Sequence, residues 1–324
     1  MSWGVALIKI FNQELAPRLT KNIMTIIQRL EDLAGIKFNV SLKKYNTFRI
    51  GGIAKYFFEA KTKKDLISAV KLAKELKVPF YVIGGGSKLL ISDDGFDGLI
   101  IRMKNREFKV DGDEIEMGAG LLMNQLIRIA LEESLTGAEW LAGIPGTIGG
   151  AINGNAGAFV GSMQDIVISV NAFDTEKEQE IVLNKEECLF GYRDSIFKKN
   201  PNLIILSCKV SLKKGNKEEI KKEMKKYFAH RRKIHPLQYP SAGCIFKNPR
   251  LKEGQEVPAW KAIVDCGLIG KKVGDVEISE KHSNFIINLG DGKAKEVKEL
   301  IKIIKDTIKE KTGMEIEEEI QYLQ

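Results

Sequence analysis

Residues 143–158 read GIPGTIGGAINGNAGA, with glycine at Gly143, Gly146, Gly149, Gly150, Gly154 and Gly157 and no charged side chain. Glycine adopts positive φ and lets another group touch the main chain, so the chemistry on offer is that of backbone N–H donors. An anionic or planar ligand suits such a surface. A flexible linker would be polar and serine-rich, whereas Ile144, Pro145, Ile148, Ala151 and Ile152 require burial. A second cluster, GGGS at residues 84–87, follows the apolar run 80–83 and repeats the logic of a strand entering a turn that can cradle phosphate.

The other chemistry-bearing residues exclude more than they assign. Cys188, Cys208, Cys244 and Cys266 have no CxxC spacing, and His230, His235 and His282 are scattered, so no metal site is expected. Reduced thiols in a cytoplasmic protein fit this usage. The 51 basic residues exceed the 43 acidic ones, which predicts a basic surface that attracts anions, either nucleic acid or a phosphorylated small molecule. A 324-residue chain that is 44% hydrophobic and 29% charged is a folded protein of two or three domains. No apolar run reaches the roughly 18 residues of a membrane span. The early apolar stretch around Val5–Ile10 lacks a basic flank and a small-residue cleavage site, against a signal peptide.

Periodicity supplies the elements that position the turns. Residues 1–35 carry Ile23, Ile26, Ile27, Leu30 and Leu33 on one face, a helical preface. NTFRIGG at 46–52 precedes a strand at 55–60 and a helix at 62–77, capped by Thr62 and Asp65, with Leu66, Ala69, Val70 and Ala73 as its buried stripe. Strands at 80–83 and 99–102 complete a small α/β unit. Residues 105–118 form a hairpin about Asp111-Gly112, and a helix at 121–134 leads to Trp140 and the glycine run. Strands at 165–173 and 203–212 follow, with GYRDS at 191–195 between them. The glycines do not fit GxGxxG at a helix start, which disfavours a nicotinamide-binding Rossmann fold.

At Gly215 the composition changes to GNKEEIKKEMKKYFAHRRK, a charged helix that opens a C-terminal domain. Its basic run reads as a solvated face, because glutamates are interleaved and no aromatic stacking platform accompanies it. Beyond it come PSAGCIFKNP at 240–249, a short helix at 258–266 and a strand at 284–290. A helix at 293–311, with Val297, Leu300, Ile301, Ile304 and Ile308 on one stripe, precedes a terminal edge strand in GMEIEEEIQYLQ.

The motifs NTFRIGG, GGGS, GIPGTIGGAINGNAGA, GYRDS, PSAGCIFKNP, EKHSNFIIN and EEEI, in this order, resemble the UDP-N-acetylenolpyruvoylglucosamine reductase (UDP-N-acetylmuramate dehydrogenase) family over about residues 38–324. The resemblance implies an α+β chain: a two-part FAD-binding module of the PCMH (vanillyl-alcohol-oxidase-like) type at 36–214, with subdomains at about 36–104 and 105–214. A smaller α/β substrate domain at 215–324 follows, and residues 1–35 are an N-terminal extension. It further implies the shorter form of the family, without a tyrosine-bearing flap, working on peptidoglycan precursors; the chain is expected to be a cytoplasmic monomer.

By the same resemblance, non-covalent FAD would rest on Arg49, Gly84, Gly85, Gly86, Ser87, Gly143, Pro145, Gly146, Gly149, Gly150, Asn153 and Gly157. NADPH would reduce it, and the enolpyruvyl nucleotide sugar would then occupy the same basic cleft. Arg193 would hold the enediolate charge that develops on the substrate, with a surface ion pair to Asp194 as the bland alternative. Glu319 would polarise the substrate carboxylate through a proton, which demands a raised pKa. Period-two alternation puts Glu317 and Glu319 on one face and Glu318 on the other. Tyr192, Lys247 and Asn248 would contact substrate, and Lys233 would stand in for a family lysine whose slot falls at Ile234. Cys244 occupies the place of the family's proton-donating serine.

Two readings compete. A PCMH-type flavin oxidase of a small alcohol or hydroxy acid keeps the fold, but such enzymes often attach FAD through His or Cys, and neither occurs at 84–87 or 143–158. A basic nucleic-acid-binding protein would carry no flavin at all.

Overall fold

The computed structural model describes residues 24–249 and 256–324. Most of the N-terminal preface therefore lies outside the described residues; α1 (residues 24–30) ends in Leu30, which is fully buried. The first unit comprises β1 (Lys37–Ser41), β2 (Ile53–Ala60), α2 (Lys63–Glu75), β3 (Phe80–Ile83), β4 (Leu89–Ile91) and β5 (Phe96–Met103). Helix α2 starts at Thr62, whose hydroxyl accepts from Asp65 N while the Asp65 carboxylate accepts from Thr62 N. This reciprocal capping satisfies two otherwise orphaned donors. Its stripe of Leu66, Ala69, Val70 and Ala73 is buried. The strands run in the order β1-β2-β5-β3, with β5 parallel to both β2 and β3.

The second unit adds β6 (Phe108–Asp111), β7 (Glu114–Gly118), α3 (Met123–Glu132), α4 (Ile148–Asn153), β8 (Val167–Asp174), β9 (Gln179–Asn184), α5 (Ile196–Lys199) and β10 (Leu203–Ser211). Its antiparallel sheet has the order β9-β8-β10-β7-β6. Helix α4, which periodicity did not reveal, lies inside the glycine run: Thr147 accepts from Gly150 N, and Ile148, Ala151 and Ile152 bury on one side. Gly149 is a packing position there, since an added Cβ would lie 2.9 Å from Ala119 Cβ.

The charged helix α6 (Lys217–Ile234) leaves most of its charged residues exposed, as the interleaved glutamates predict, and packs its other side on α3 and on the turn bearing Trp140, burying Ile220 and Arg231. The C-terminal unit is built from β11 (Ser241–Cys244), α7 (Ala259–Asp265), β12 (Lys272–Val273), β13 (Val276–Ile278), β14 (Phe285–Asn288) and α8 (Ala294–Thr312). Its sheet runs β11-β14-β13-β12, and α8 covers one face with Val297, Leu300, Ile301, Ile304 and Ile308. The terminal edge strand shrinks to β15 (Gln321–Leu323), which pairs in parallel with β4 and buries Leu323 in the core of the first unit. The chain's end thus returns from the third unit to the first.

Candidate active site

The NTFRIGG loop is closed by Asn46, whose buried amide donates to the carbonyls of Leu42 and Ile50 at 2.9 and 2.8 Å. Thr47 N donates to Gly86 O, and the Thr47 hydroxyl reaches Ser241 O at 2.8 Å, so the loop joins the GGGS turn to β11. The two glycine clusters meet directly. A Cβ on Gly84 would lie 2.2 Å from Thr147 Oγ1, and one on Gly85 would lie 2.8 Å from Gly146 Cα. Gly86 has φ +65°, with Tyr45 O only 2.4 Å from an added Cβ. Among the described residues the N–H groups of Gly85, Gly86 and Ser87 donate to no protein atom, and Ser87 Oγ is buried without a partner.

Beside this cradle, Gly143, Ile144, Pro145 and Gly146 line a mostly apolar cavity of about 670 Å³ whose other walls include Leu122, Ile127 and Leu131 of the α3 side and Met224 and Phe228 of α6, with Asn124, Arg128 and Lys225 also lining it. An apolar slot next to free backbone donors fits a dinucleotide with aromatic ends and a central pyrophosphate, so these residues fit FAD. Gly149 and Gly150 contribute less than their sequence position suggested: their N–H groups donate to Ala119 O and to Thr147 Oγ1. The Asn153 carbonyl accepts from Ser195 Oγ at 2.8 Å and thereby ties the glycine run to GYRDS. Arg49, at φ +56°, is exposed, and its side chain makes no ion pair among the described residues.

Three segments converge on the cleft. Gly191 and Asp194 exchange backbone hydrogen bonds at 3.0 and 3.2 Å, a tight turn that holds Arg193 at φ +56°. Asp194 pairs with Lys199 at 2.7 Å and leaves Arg193 to face inward. Arg193 Nε is buried 3.5 Å from Glu319 Oε1, within ion-pair range but not aligned as a hydrogen bond. An added Cβ on Gly157 would sit 3.3 Å from Arg193 Nη1, so the glycine run ends against this guanidinium. Asn284 holds residues 245–246 through 2.9 Å bonds in both directions with Phe246. Glu319 N donates to Ile245 O at 2.7 Å, which brings Glu319 beside β11 and the partly exposed Cys244. Its neighbours point elsewhere: Glu317 pairs with Lys247 at 3.0 Å and Glu318 with Lys305 at 2.8 Å.

The electrostatics correct one expectation. Burial pushes the Glu319 carboxyl up, but Lys88, Arg193 and Lys198 outweigh it and hold the group below the usual carboxylate range. Glu319 is thus ionised in the resting site rather than protonated. Burial pushes the Cys244 thiol up, aided by Glu319 and opposed by Lys88, Arg193 and Arg231, so Cys244 is a thiol at neutral pH.

On the cleft wall, Tyr192 stacks near Arg193 at 5.6 Å, and its hydroxyl accepts from Asn248 N at 3.3 Å. The Asn248 side chain is spent on Ala259 N and Glu256. Lys233 lies exposed in the last turn of α6 without an ion pair among the described residues.

Two site residues escaped the sequence reading. Arg231 donates from Nε to Ala142 O at 3.2 Å, lies under Phe159 and keeps a buried Nη2 without a partner. It was hidden in the basic run of α6, and only the 3.6-residue phase relative to Ile220 and Met224 separates it from the exposed Arg232 and Lys233. Lys88 directly follows GGGS and reaches Glu319 Oε1 at 2.9 Å. Among the described residues no cluster of three metal-ligating side chains occurs, and all four cysteines are free.

Residues 235–323 match the family model for the C-terminal domain of UDP-N-acetylenolpyruvoylglucosamine reductase, and residues 54–181 match an FAD binding domain. The UDP-N-acetylenolpyruvoylglucosamine reductase of Caldanaerobacter subterraneus subsp. tengcongensis is 38% identical over 284 residues, covering 87% of this chain and 92% of that protein. That of Caldicellulosiruptor bescii is 39% identical over 295 residues, 90% of this chain and 92% of its own. The crystal structure of UDP-N-acetylenolpyruvylglucosamine reductase from Thermus caldophilus matches with a TM-score of 0.75 at 34% identity, over 89% of this chain and 99% of that one.

Proposed function

The chain belongs to the UDP-N-acetylenolpyruvoylglucosamine reductase family, and on that premise we propose that it is an FAD-dependent oxidoreductase that uses NADPH to reduce the enolpyruvyl ether of UDP-N-acetylglucosamine to UDP-N-acetylmuramate, a step in making peptidoglycan precursors. The observation that carries this reading is the convergence of Arg193, Glu319 and Cys244 beside two touching glycine turns. The pyrophosphate of FAD would lie on the N–H groups of residues 85–87, and the cavity lined by Gly143–Gly146 would take one of its aromatic ends. Bound there, FAD would supply the hydride chemistry that links NADPH to the enolpyruvyl methylene carbon.

The chain's own residues manage the charge and the proton. Hydride addition to the methylene carbon leaves negative charge on the adjacent carbon and its carboxylate, where Arg193 offers a fixed, two-pronged cation. Its geometry is set in advance by the Gly191–Asp194 turn, so little reorganisation is needed as charge grows. A substrate carboxylate beside Arg193 also brings like charge to Glu319 and favours a proton on it; the hydrogen bond expected of Glu319 then arises only in the complex. Cys244, held as a thiol, gives its proton to the carbanion. Lys247 and Tyr192 line the approach and suit the anionic nucleotide. No described helix is long and apolar enough to cross a membrane.

Acid precipitation of the pure yellow protein tests the reading against the flavin oxidase. Release of the flavin, with NADPH oxidation that depends on the enolpyruvyl nucleotide, is the expected result. A flavin retained on the precipitate, with oxygen consumed on a small alcohol, would favour the oxidase; the fold does bring Cys244 near the turn, since Lys88 touches its carbonyl at 2.7 Å.

A further inference from the structure

Lys88 carries no role in the function proposed above, yet its ammonium group joins three segments of the chain. Its Nζ lies 2.9 Å from Glu319 Oε1 and donates to the Cys244 carbonyl at 2.7 Å. Its own carbonyl accepts from Gln321 N at 2.8 Å, the first residue of β15. Through its main chain it is continuous with Ser87 and the Gly85–Ser87 amides. Gly243, at φ +73°, lies alongside the same group, since an added Cβ would stand in ordinary contact with Lys88 Nζ at 3.5 Å. An ammonium has three donors, and two are committed to the residues on either side of the proton-transfer position.

We propose that Lys88 is a positioning residue for substrate reduction: it locks the Glu319 carboxylate and the Cys244 backbone into one arrangement and fastens both to the turn that would hold the cofactor's phosphates. The inference rests on the function proposed above. The groups facing Cys244 are Lys88, Glu319, Arg193 and Arg231, and those acting on Glu319 are Lys88, Arg193 and Lys198. Lys88 is the cation shared by Cys244 and Glu319 that also bonds to the residue it acts on in both cases. Removing it takes away a charge that favours the Cys244 thiolate and leaves burial and Glu319, which oppose it.

The test compares Lys88→Met and Lys88→Arg with the natural protein, each loaded with FAD and checked for thermal stability. Alkylation of Cys244 by iodoacetamide, followed by mass spectrometry across a pH series, reads the thiol directly. Lys88→Met is expected to move that profile to higher pH and to slow alkylation several-fold near pH 8.5, about the ordinary thiol midpoint. Lys88→Arg is expected to restore it. In stopped flow, Lys88→Met should slow reoxidation by the enolpyruvyl nucleotide by about ten-fold or more, and by a larger factor than reduction by NADPH. An unchanged alkylation profile in a folded Lys88→Met protein, or equal slowing of both half-reactions, would overturn the inference. If the natural protein itself is not reoxidised by the enolpyruvyl nucleotide, the proposed function fails, while the alkylation profile still decides the Lys88 contact.

Discussion

In the proposed reaction the chemistry turns on Arg193: a permanent cation held at φ +56° and facing Glu319 is not a surface ion pair with Asp194, which pairs with Lys199. Arg193→Ala is expected to slow reoxidation of the reduced flavin by substrate by about 10²-fold or more, the usual cost of removing one preorganised charge stabiliser. Reduction by NADPH should slow far less, since no charge then develops on the enolpyruvyl group; equal loss in both stopped-flow phases would assign Arg193 a folding role. Cys244 makes a pH prediction. Burial holds its pKa above the ordinary thiol value, and the donor must be protonated, so activity is present below that pKa and falls as pH rises through it. Cys244→Ser should move this alkaline limb to higher pH, and Cys244→Ala should slow turnover by about 10²-fold, the typical scale of general acid catalysis. A wild-type rate in Cys244→Ala would remove the donor role.

At the scale of elements, the glycine turns carry the cradle. An added Cβ on Gly86 would meet backbone atoms, Tyr45 O at 2.4 Å and Asn46 Cα at 2.7 Å, neither of which can swing aside. Gly86→Val should therefore lose bound FAD and lower stability by about 1 to 3 kcal/mol from backbone strain. Gly267→Ala, also left-handed at φ +72° but in open space, should keep its FAD and lose stability only; FAD content and thermal melting separate the two outcomes. Much of this level was legible in sequence. The capping box of α2, the stripe of α8 and the Asp111-Gly112 hairpin are local patterns, and each appears where its periodicity put it. Helix α4 was not, because four of its neighbours or members are glycines with low helix propensity and only the Thr147 cap and tertiary packing stabilise it. The inward turn of Arg231 and the place of Lys88 were also illegible, since a lysine after a glycine turn or an arginine in a basic run looks the same exposed or buried.

At the scale of the whole molecule, the site exists because the chain closes on itself. β15 pairs with β4 of the first unit, and residues 317–319 bond to residues 245–247 of the third, so Glu319 is stretched between the cofactor turn and β11. Sequence could name Glu319 only by its motif, because nothing local shows that the last strand lands beside residues 89–91. The measurement that tests the central claim most directly is an anaerobic titration of the FAD-loaded protein. NADPH should bleach the flavin band without restoring it, and the enolpyruvyl nucleotide should then restore it completely, forming one UDP-N-acetylmuramate for each NADPH consumed. A bleached flavin that stays reduced when the enolpyruvyl nucleotide is added, and recovers only when oxygen is admitted, would contradict the account.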